Sequence, residues 1–335
     1  MLAALGPRLL PSVPFFSSLR FFATNSIKNT QRIMVVPNVV SAVDGKAYSS
    51  TAATIAEFLR DAPRGVYTTA RTIGYNSILD FEFHVRRLYE SIQGYLAERH
   101  QSVEAFPSEQ RLREVLVHQL RSIENDINPY LREREKRLTI LICAPGNENK
   151  WDNDRPFGLI HTHLTELPMI TASGVKVQLM EGATGHGSVK DSAWVEERAK
   201  LQIPPEFNEI IFEEGGHISQ GMSSNVWLLH ASTGVWHTQT ENVIKGTVQN
   251  EILHMMPQTT STTPLTQRDL LDPTVVKEVA ISSTTRGFLP VLSITDAASG
   301  KIVRHWDETP VGSELRRIHK AQLAENGTLI WTMSE

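Results

Sequence analysis

Cysteine is almost absent. Cys143 is the single one in 335 residues. It has no partner for an intrachain disulfide, which excludes a disulfide-stapled secreted scaffold, and a zinc site would need histidine and carboxylate ligands instead. Cys143 sits in the apolar run Leu138-Thr139-Ile140-Leu141-Ile142-Cys143-Ala144, where a free thiol packs as a small hydrophobe. No run approaches the ~20 apolar residues that a membrane-spanning helix needs. Excess positive charge is missing too. With 33 Lys and Arg against 37 Asp and Glu, the formal charge is −4, which leaves no basic footprint for nucleic acid. What is present, 40% hydrophobic and 21% charged residues, suits a globular chain with a sizeable core. At roughly 150 residues per domain, the length predicts two domains.

Acidic residues are lacking from one stretch. None precedes Asp44, while Arg8, Arg20, Lys28, Arg32, Ser12, Ser17, Ser18 and Ser26 all do. Arg-rich, Ser-rich and acid-poor describes an organelle transit peptide. Residues 1–32 are therefore expected to direct the chain to the mitochondrial matrix, with the cytoplasm as the alternative. Arg20-Phe21-Phe22-Ala23 resembles a matrix-peptidase site and predicts cleavage after Phe22. Pro7, Arg8, Pro11 and Pro14 interrupt the apolar run that a secretory signal would require.

The remaining chain alternates strand and helix signals. Residues 33–40 and Val66–Thr72 read as strands, with Ile78–Phe81 as a hairpin partner. Ser50–Arg60 reads as a short helix. Val85, Leu88, Ile92 and Leu96 recur at helical spacing, as do Leu112, Leu116, Leu120 and Ile123 behind the start signal Pro107-Ser108. Leu138–Ala144 and Phe157–Leu164 read as inner strands on either side of a polar loop, and 165–174 as a connection. In the second half Val175–Met180, Glu209–Phe212, Asn225–Leu229, Val279–Ser282 and Pro290–Ile294 read as strands. Trp194–Leu201 (capped by Asp191 and Ser192), Gly246–Met255 and Ser313–Leu323 read as helices, with a short apolar tail after the last. This predicts an α/β (α+β) protein with a smaller domain at 33–166 and a larger one at 167–335.

Six segments in this order resemble the class IV pyridoxal-phosphate-dependent aminotransferases, the group that includes branched-chain and D-amino-acid enzymes. They are Arg64-Gly65-Val66-Tyr67-Thr68-Thr69, His84-Val85-Arg86-Arg87-Leu88 and Lys190-Asp191-Ser192-Ala193-Trp194 in the first part. Gly216 through Asn225, Ile244-Lys245-Gly246-Thr247-Val248, and Ser282 through Gly287 with Pro290-Val291 complete the set. The resemblance spans about residues 64 to 295. It implies fold type IV, pyridoxal phosphate in a cleft between the two domains, and a homodimer whose site borrows a loop from the neighbour. It further implies an amino acid and a 2-oxo acid as substrates, and Lys190 as the Schiff-base lysine.

That chemistry needs particular groups. A lysine suits the role because its pKa falls when it is desolvated or near another cation. A phosphate needs backbone N–H groups at a helix start, hydroxyls and a guanidinium. Gly246, Thr247 and Val248 open the predicted helix, Val248 offering only its backbone. Ser283 and Thr284 add hydroxyls, and Arg87 matches the phosphate-side arginine. Tyr67 matches an active-site tyrosine, and Arg286 is a candidate for a substrate carboxylate. At Gln220 the resemblance implies a glutamate facing the pyridine nitrogen. An amide there cannot supply the charge that favours a protonated ring. The leading reading is an aminotransferase acting on a small amino acid. Gln220 keeps two alternatives open, a pyridoxal-phosphate-dependent lyase or racemase and a non-catalytic cofactor-binding protein.

Other patterns are weaker. Gly221-Met222-Ser223-Ser224-Asn225 lacks the closing glycine of a nucleophile elbow. Gly182, Gly185 and Gly187 lack dinucleotide or P-loop spacing. His161 and His163 alternate on a predicted strand and read as core or interface residues, and His230, His237 and His254 show no metal-ligand spacing.

Overall fold

The computed structural model describes residues 39–98, 107–143, 157–182, 189–201, 203–263 and 266–332. The expected transit peptide, strand residues 33–38, the polar loop after Ala144 and most of the glycine loop before Lys190 lie outside the described residues.

The first half builds an antiparallel sheet. β1 (Val39–Val43) turns through Asp44-Gly45, both at positive φ, into β2 (Lys46–Tyr48). Helix α1 (Ile55–Asp61) starts in a capping box in which the Thr54 hydroxyl accepts from the Glu57 N–H and Glu57 accepts from the Thr54 N–H. β3 (Gly65–Ile73) and β4 (Ser77–Leu79) follow, then α2 (Phe81–Glu98), α3 (Glu109–Ser122, capped by Ser108), α4 (Pro129–Arg132), β5 (Lys136–Cys143) and β6 (Leu159–Glu166). The strand order is β4-β3-β5-β6-β1-β2.

Strand alternation gives this sheet two kinds of face. On one, Val66, Ala70, Leu138, Ile140 and Ile142 pack under Val85, Leu88 and Ile92 of α2 and Leu112, Leu116 and Leu120 of α3. On the other, Tyr67, Leu141 and Cys143 meet Phe58 and Leu59 of α1. Cys143 is buried and unoxidised, and burial pushes its thiol up to about 12. His161 and His163 share this second face. Both are buried, and His163 stacks on Phe58 at 4.6 Å while bonding Ser41 Oγ at 2.9 Å.

The second half builds a nine-stranded sheet. In chain order its elements are β7 (Val175–Glu181), α5 (Ala193–Ala199), β8 (Glu209–Glu214), β9 (His217–Gly221), β10 (Asn225–His230), β11 (Trp236–Thr238), α6 (Thr247–Met255), β12 (Thr260–Ser261), α7 (Gln267–Leu271), β13 (Val276–Ser283), β14 (Gly287–Asp296), β15 (Ile302–His305) and α8 (Pro310–Gln322). The order is β12-β11-β10-β13-β14-β7-β8-β9, with β15 on β14. Trp227, Trp236 and Phe288 fill the core beneath α6 and α8. The last strand, β16 (Gly327–Leu329), returns to the first sheet and pairs with β4, so the apolar tail is part of the other half's sheet. Met34–Glu335 form one compact unit.

Candidate functional site

The segment carrying Lys190 is fastened to the first sheet. The lower edge of β3 is free beside residues 65–67, because β4 pairs only with Thr72 and Ile73. Residues 190–192 use that edge. Tyr67 N–H donates to the Lys190 carbonyl at 2.9 Å, and Ser192 N–H to the Gly65 carbonyl at 2.8 Å. Gly65 N–H donates to Ser192 Oγ at 3.0 Å. The Ser192 hydroxyl was expected to cap α5; it makes no cap bond and serves this junction instead. Asp191 keeps the capping role, accepting from Ala193 N–H at 2.9 Å, and also takes the Arg64 guanidinium.

The Lys190 amine lies 5.0 Å from the centre of the Tyr67 ring. Burial, with Arg87 and Arg198 adding repulsion, holds it well below its usual range. Desolvation and like charge favour the uncharged form of the amine, which is the nucleophilic one.

Lys190 opens into a cavity of about 410 Å³. At one end lies Arg87, buried on α2 and bonded only to neutral groups: it donates to the Lys245 carbonyl at 3.1 Å and to Thr68 Oγ1. Its Nε has no partner, and no carboxylate of the described residues pairs with it. Burial pushes Arg87 down to about 10. His84 completes the cluster, bonded to Thr68 Oγ1 at 2.8 Å and held neutral by burial and by the charges of Arg87 and Lys190.

The start of α6 stands at the same cavity. Gly246 is its N-cap residue and has no side-chain cap, so first-turn amides and the helix dipole favour an anion there. A Cβ at Gly246 would fall 2.0 Å from Asn225 Oδ1. Thr247 Oγ1 and Thr284 Oγ1 are 3.1 Å apart. Ser283, Thr284 and Gly246 line the cavity, whereas Val248 points into the core with Trp227 and Ile252.

Gln220 lies on β9, a strand absent from the sequence reading, and lines the cavity. Its Oε1 accepts from the Ile244 N–H at 3.1 Å, which fixes the amide orientation. Arg286 corrects an expectation: it does not line the cavity. It pairs with the fully buried Glu209, which Ser223 and Ser224 also approach at 2.8 and 3.0 Å. A guanidinium committed to a buried carboxylate is not available to a substrate.

Lys190, Arg87, Gln220, Gly246, Ser283, Thr284 and Tyr67 thus share one cavity, with Thr247 bonded to its wall. Trp194, quoted above in the lysine segment, lines it as well, as do Arg198 and Arg137, which escaped the sequence reading. Among the described residues, no carboxylate lines it, and no group of three His, Cys, Asp or Glu could hold a metal. No described helix is long and apolar enough to cross a membrane.

The fold is that of the fold IV aminotransferases. A fold IV transaminase from Curtobacterium pusillum superposes with a TM-score of 0.62 at 15% identity, over 85% of this chain and 97% of that one. The branched-chain aminotransferase of Thermoproteus uzoniensis, solved with norvaline, gives 0.60 at 13%, over 86% and 96%. A putative branched-chain amino acid aminotransferase from Thermotoga maritima gives 0.62 at 15%, over 85% and 96%. No family profile and no curated protein matches the sequence.

Proposed function

We propose that this chain is a pyridoxal-phosphate-dependent aminotransferase that moves an amino group between a small amino acid, of branched-chain or D-amino-acid type, and a 2-oxo acid. The observation that carries this is the acid-free cavity in which the buried Lys190 amine and a buried, carboxylate-free Arg87 stand at the start of α6. A desolvated cation without a counter-ion is costly, and a phosphate offers Arg87 one. Arg87, the amides after Gly246, and the Thr247 and Thr284 hydroxyls would hold that phosphate; Lys190 would hold the aldehyde carbon. Bound there, the cofactor supplies the electron sink for breaking a bond at the amino-acid α-carbon.

The protein groups do the rest. Lys190, whose uncharged form is favoured by burial and by the charges of Arg87 and Arg198, can accept and return the α-proton through its Nζ. Tyr67, whose hydroxyl is pushed upward by burial, stays protonated and limits how far the amine can move. Trp194 and Ile244 give the wall apolar surface.

A second reading, a lyase or racemase or a non-catalytic cofactor carrier, is favoured by Gln220. With Oε1 engaged by Ile244, its nitrogen can only donate, which suits an unprotonated pyridine and weakens the sink. The test is a visible spectrum of protein from residue 23 onward, supplied with pyridoxal phosphate, beside Lys190→Ala. The wild type should show a band near the cofactor's imine absorption that the variant lacks, and an amino acid should bleach it with release of a 2-oxo acid. A wild-type spectrum identical to free cofactor would reject the assignment. The reading includes a homodimer, which light scattering of the purified chain would check.

A further inference from the structure

Polar residues cross the first sheet in an unbroken row. Four register pairs join five strands: Tyr48 on β2 opposes Ser41 on β1, Ser41 opposes His163 on β6, His163 opposes Thr139 on β5, and Thr139 opposes Thr69 on β3. Directly opposed residues share one face, with their Cβ atoms about 5 Å apart. The row therefore runs from Tyr48, 43% exposed at the sheet edge, through three buried residues to Thr69, which lines the Lys190 cavity. The neighbouring row on this face is broken, because Leu141 and Val43 flank His161.

The outer end of the row is already bonded. The Tyr48 hydroxyl is hydrogen-bonded to Ser41, and Ser41 Oγ to His163 Nδ1 at 2.9 Å. Further in, His163 Nε2 and Thr139 Oγ1, on opposed residues, are both buried without a partner. Two such atoms side by side cost free energy unless ordered water joins them. Phe58 stacks flat on the imidazole, at 4.6 Å and 10°, which fixes the ring's plane. Burial and the charge of Arg137 push His163 down to about 4. The ring is then neutral, with one N–H and one lone pair, the form that can take a proton on one nitrogen and release one from the other.

We propose that Tyr48, Ser41, His163, Thr139 and Thr69, with water joining His163 to Thr139, form a proton path through the first sheet between the surface at β2 and the Lys190 cavity. A proton taken up by the Tyr48 hydroxyl sends that group's own proton to Ser41 Oγ. Ser41 passes its own to His163 Nδ1, and His163 releases one from Nε2. The water, Thr139 and Thr69 repeat the exchange, so one proton enters the cavity for each taken up outside, and nothing is oxidised or reduced. A proton travelling the other way restores every hydroxyl and the starting tautomer. Among the described residues no carboxylate lines the cavity, so Lys190 has no carboxylic acid beside it with which to trade a proton. A molecule seated in the cavity displaces water there, whereas the row runs through the sheet. The path stands on the sheet's register, and its service to Lys190 rests on the aminotransferase reading.

The test is exchange of the His163 ring proton with water, measured by NMR on the full chain labelled with nitrogen-15 histidine and assigned by the signal lost in His163→Gln. It needs neither cofactor nor substrate. Wild type should exchange at least tenfold faster than the double variant Tyr48→Phe with Thr139→Val, which removes a hydroxyl on each side of the ring. Thr139→Ser keeps the hydroxyl and should match wild type, which separates proton transfer from packing. A wild-type rate within twofold of the double variant would overturn the path. Delivery to Lys190 is read in D2O on cofactor-loaded protein with L-leucine and D-alanine. The deuterium gained at the α-carbon of recovered amino acid, per 2-oxo acid released, should fall at least fivefold in the double variant, and an unchanged ratio would overturn delivery. Absence of a cofactor band, or of reaction with either amino acid, removes the aminotransferase assignment, and exchange at His163 still decides the path.

Discussion

Under the proposed chemistry, Gln220 sets how strong a reaction this site can drive. It occupies a buried strand position, accepts one backbone N–H and lines the cavity. Gln220→Glu keeps the oxygen that Ile244 needs and adds a charge where a ring nitrogen could be protonated. Its turnover with any amino acid that bleaches the wild type should rise at least about tenfold, equivalent to ~1.4 kcal/mol of barrier, as read by 2-oxo acid release. No gain in a variant that still binds cofactor would count against the role given to Gln220. Asp80 offers a second test at this scale. Burial and the neighbouring Glu251 push it up to about 7, and His319 bonds Glu251 at 2.7 Å. A carboxyl raised in the folded state favours folding below about pH 4 and withdraws that support as pH climbs through 7. Asp80→Asn, which keeps the residue's left-handed φ of 47° accessible, should melt higher than wild type at pH 8. The difference should shrink toward pH 4. Lys190, Arg87, Gln220 and Gly246 were legible because motif order carries them. Arg137 and Arg198 were not: one opens a strand beside Lys136, and the other sits in Glu196-Glu197-Arg198-Ala199-Lys200, which reads as a solvated helix face. Only the pairing of β5 with β3 and the seating of α5 turn both toward one cavity.

At the scale of elements, the long amphipathic helices and the apolar strands matched their periodicity to within a few residues. The misses have physical causes. β9 has one strongly apolar residue, Ile218, in His-Ile-Ser-Gln-Gly. It is a strand because the Gly215-Gly216 hairpin, both at positive φ, folds it onto β8. β11, β12 and β15 are too short to show an alternation of their own, and each is held as a strand by pairing with β10, β11 and β14. The junction of Lys190 with β3 was equally hidden, since its bonds join residues more than 120 positions apart. Gly65 permits that close approach: a Cβ there would fall 2.1 Å from the Ile142 carbonyl oxygen. Backbone cannot yield as a side-chain tip can, so Gly65→Ala should cost about 2–4 kcal/mol in urea unfolding. It should also weaken cofactor retention, because β3 must shift away from β5 or from residues 190–192. A variant as stable as wild type would show that the strand has slack there.

Across the whole molecule, two sheets share one compact body, and the cavity draws on both. The chain does not divide cleanly at the end of β6. After completing the second sheet it returns, placing β16 against β4 and burying Ile330 and Trp331 in the first sheet's core. Trp331 Nε1 donates to the Leu120 carbonyl at 2.8 Å, at the end of α3. Trp331→Ala removes a fully buried indole and leaves that carbonyl unsatisfied, so it should cost about 3–5 kcal/mol, with unfolding by calorimetry as the check. The return strand also sets an order of events during synthesis. α3 and the exposed side of β4 emerge from the ribosome some 200 residues ahead of the segment that covers them. Until residues 327–331 follow, that edge can pair with any passing strand. Completion of the first sheet, and with it a settled position for β3 and for residues 190–192 bonded to it, therefore waits for residues 327–331.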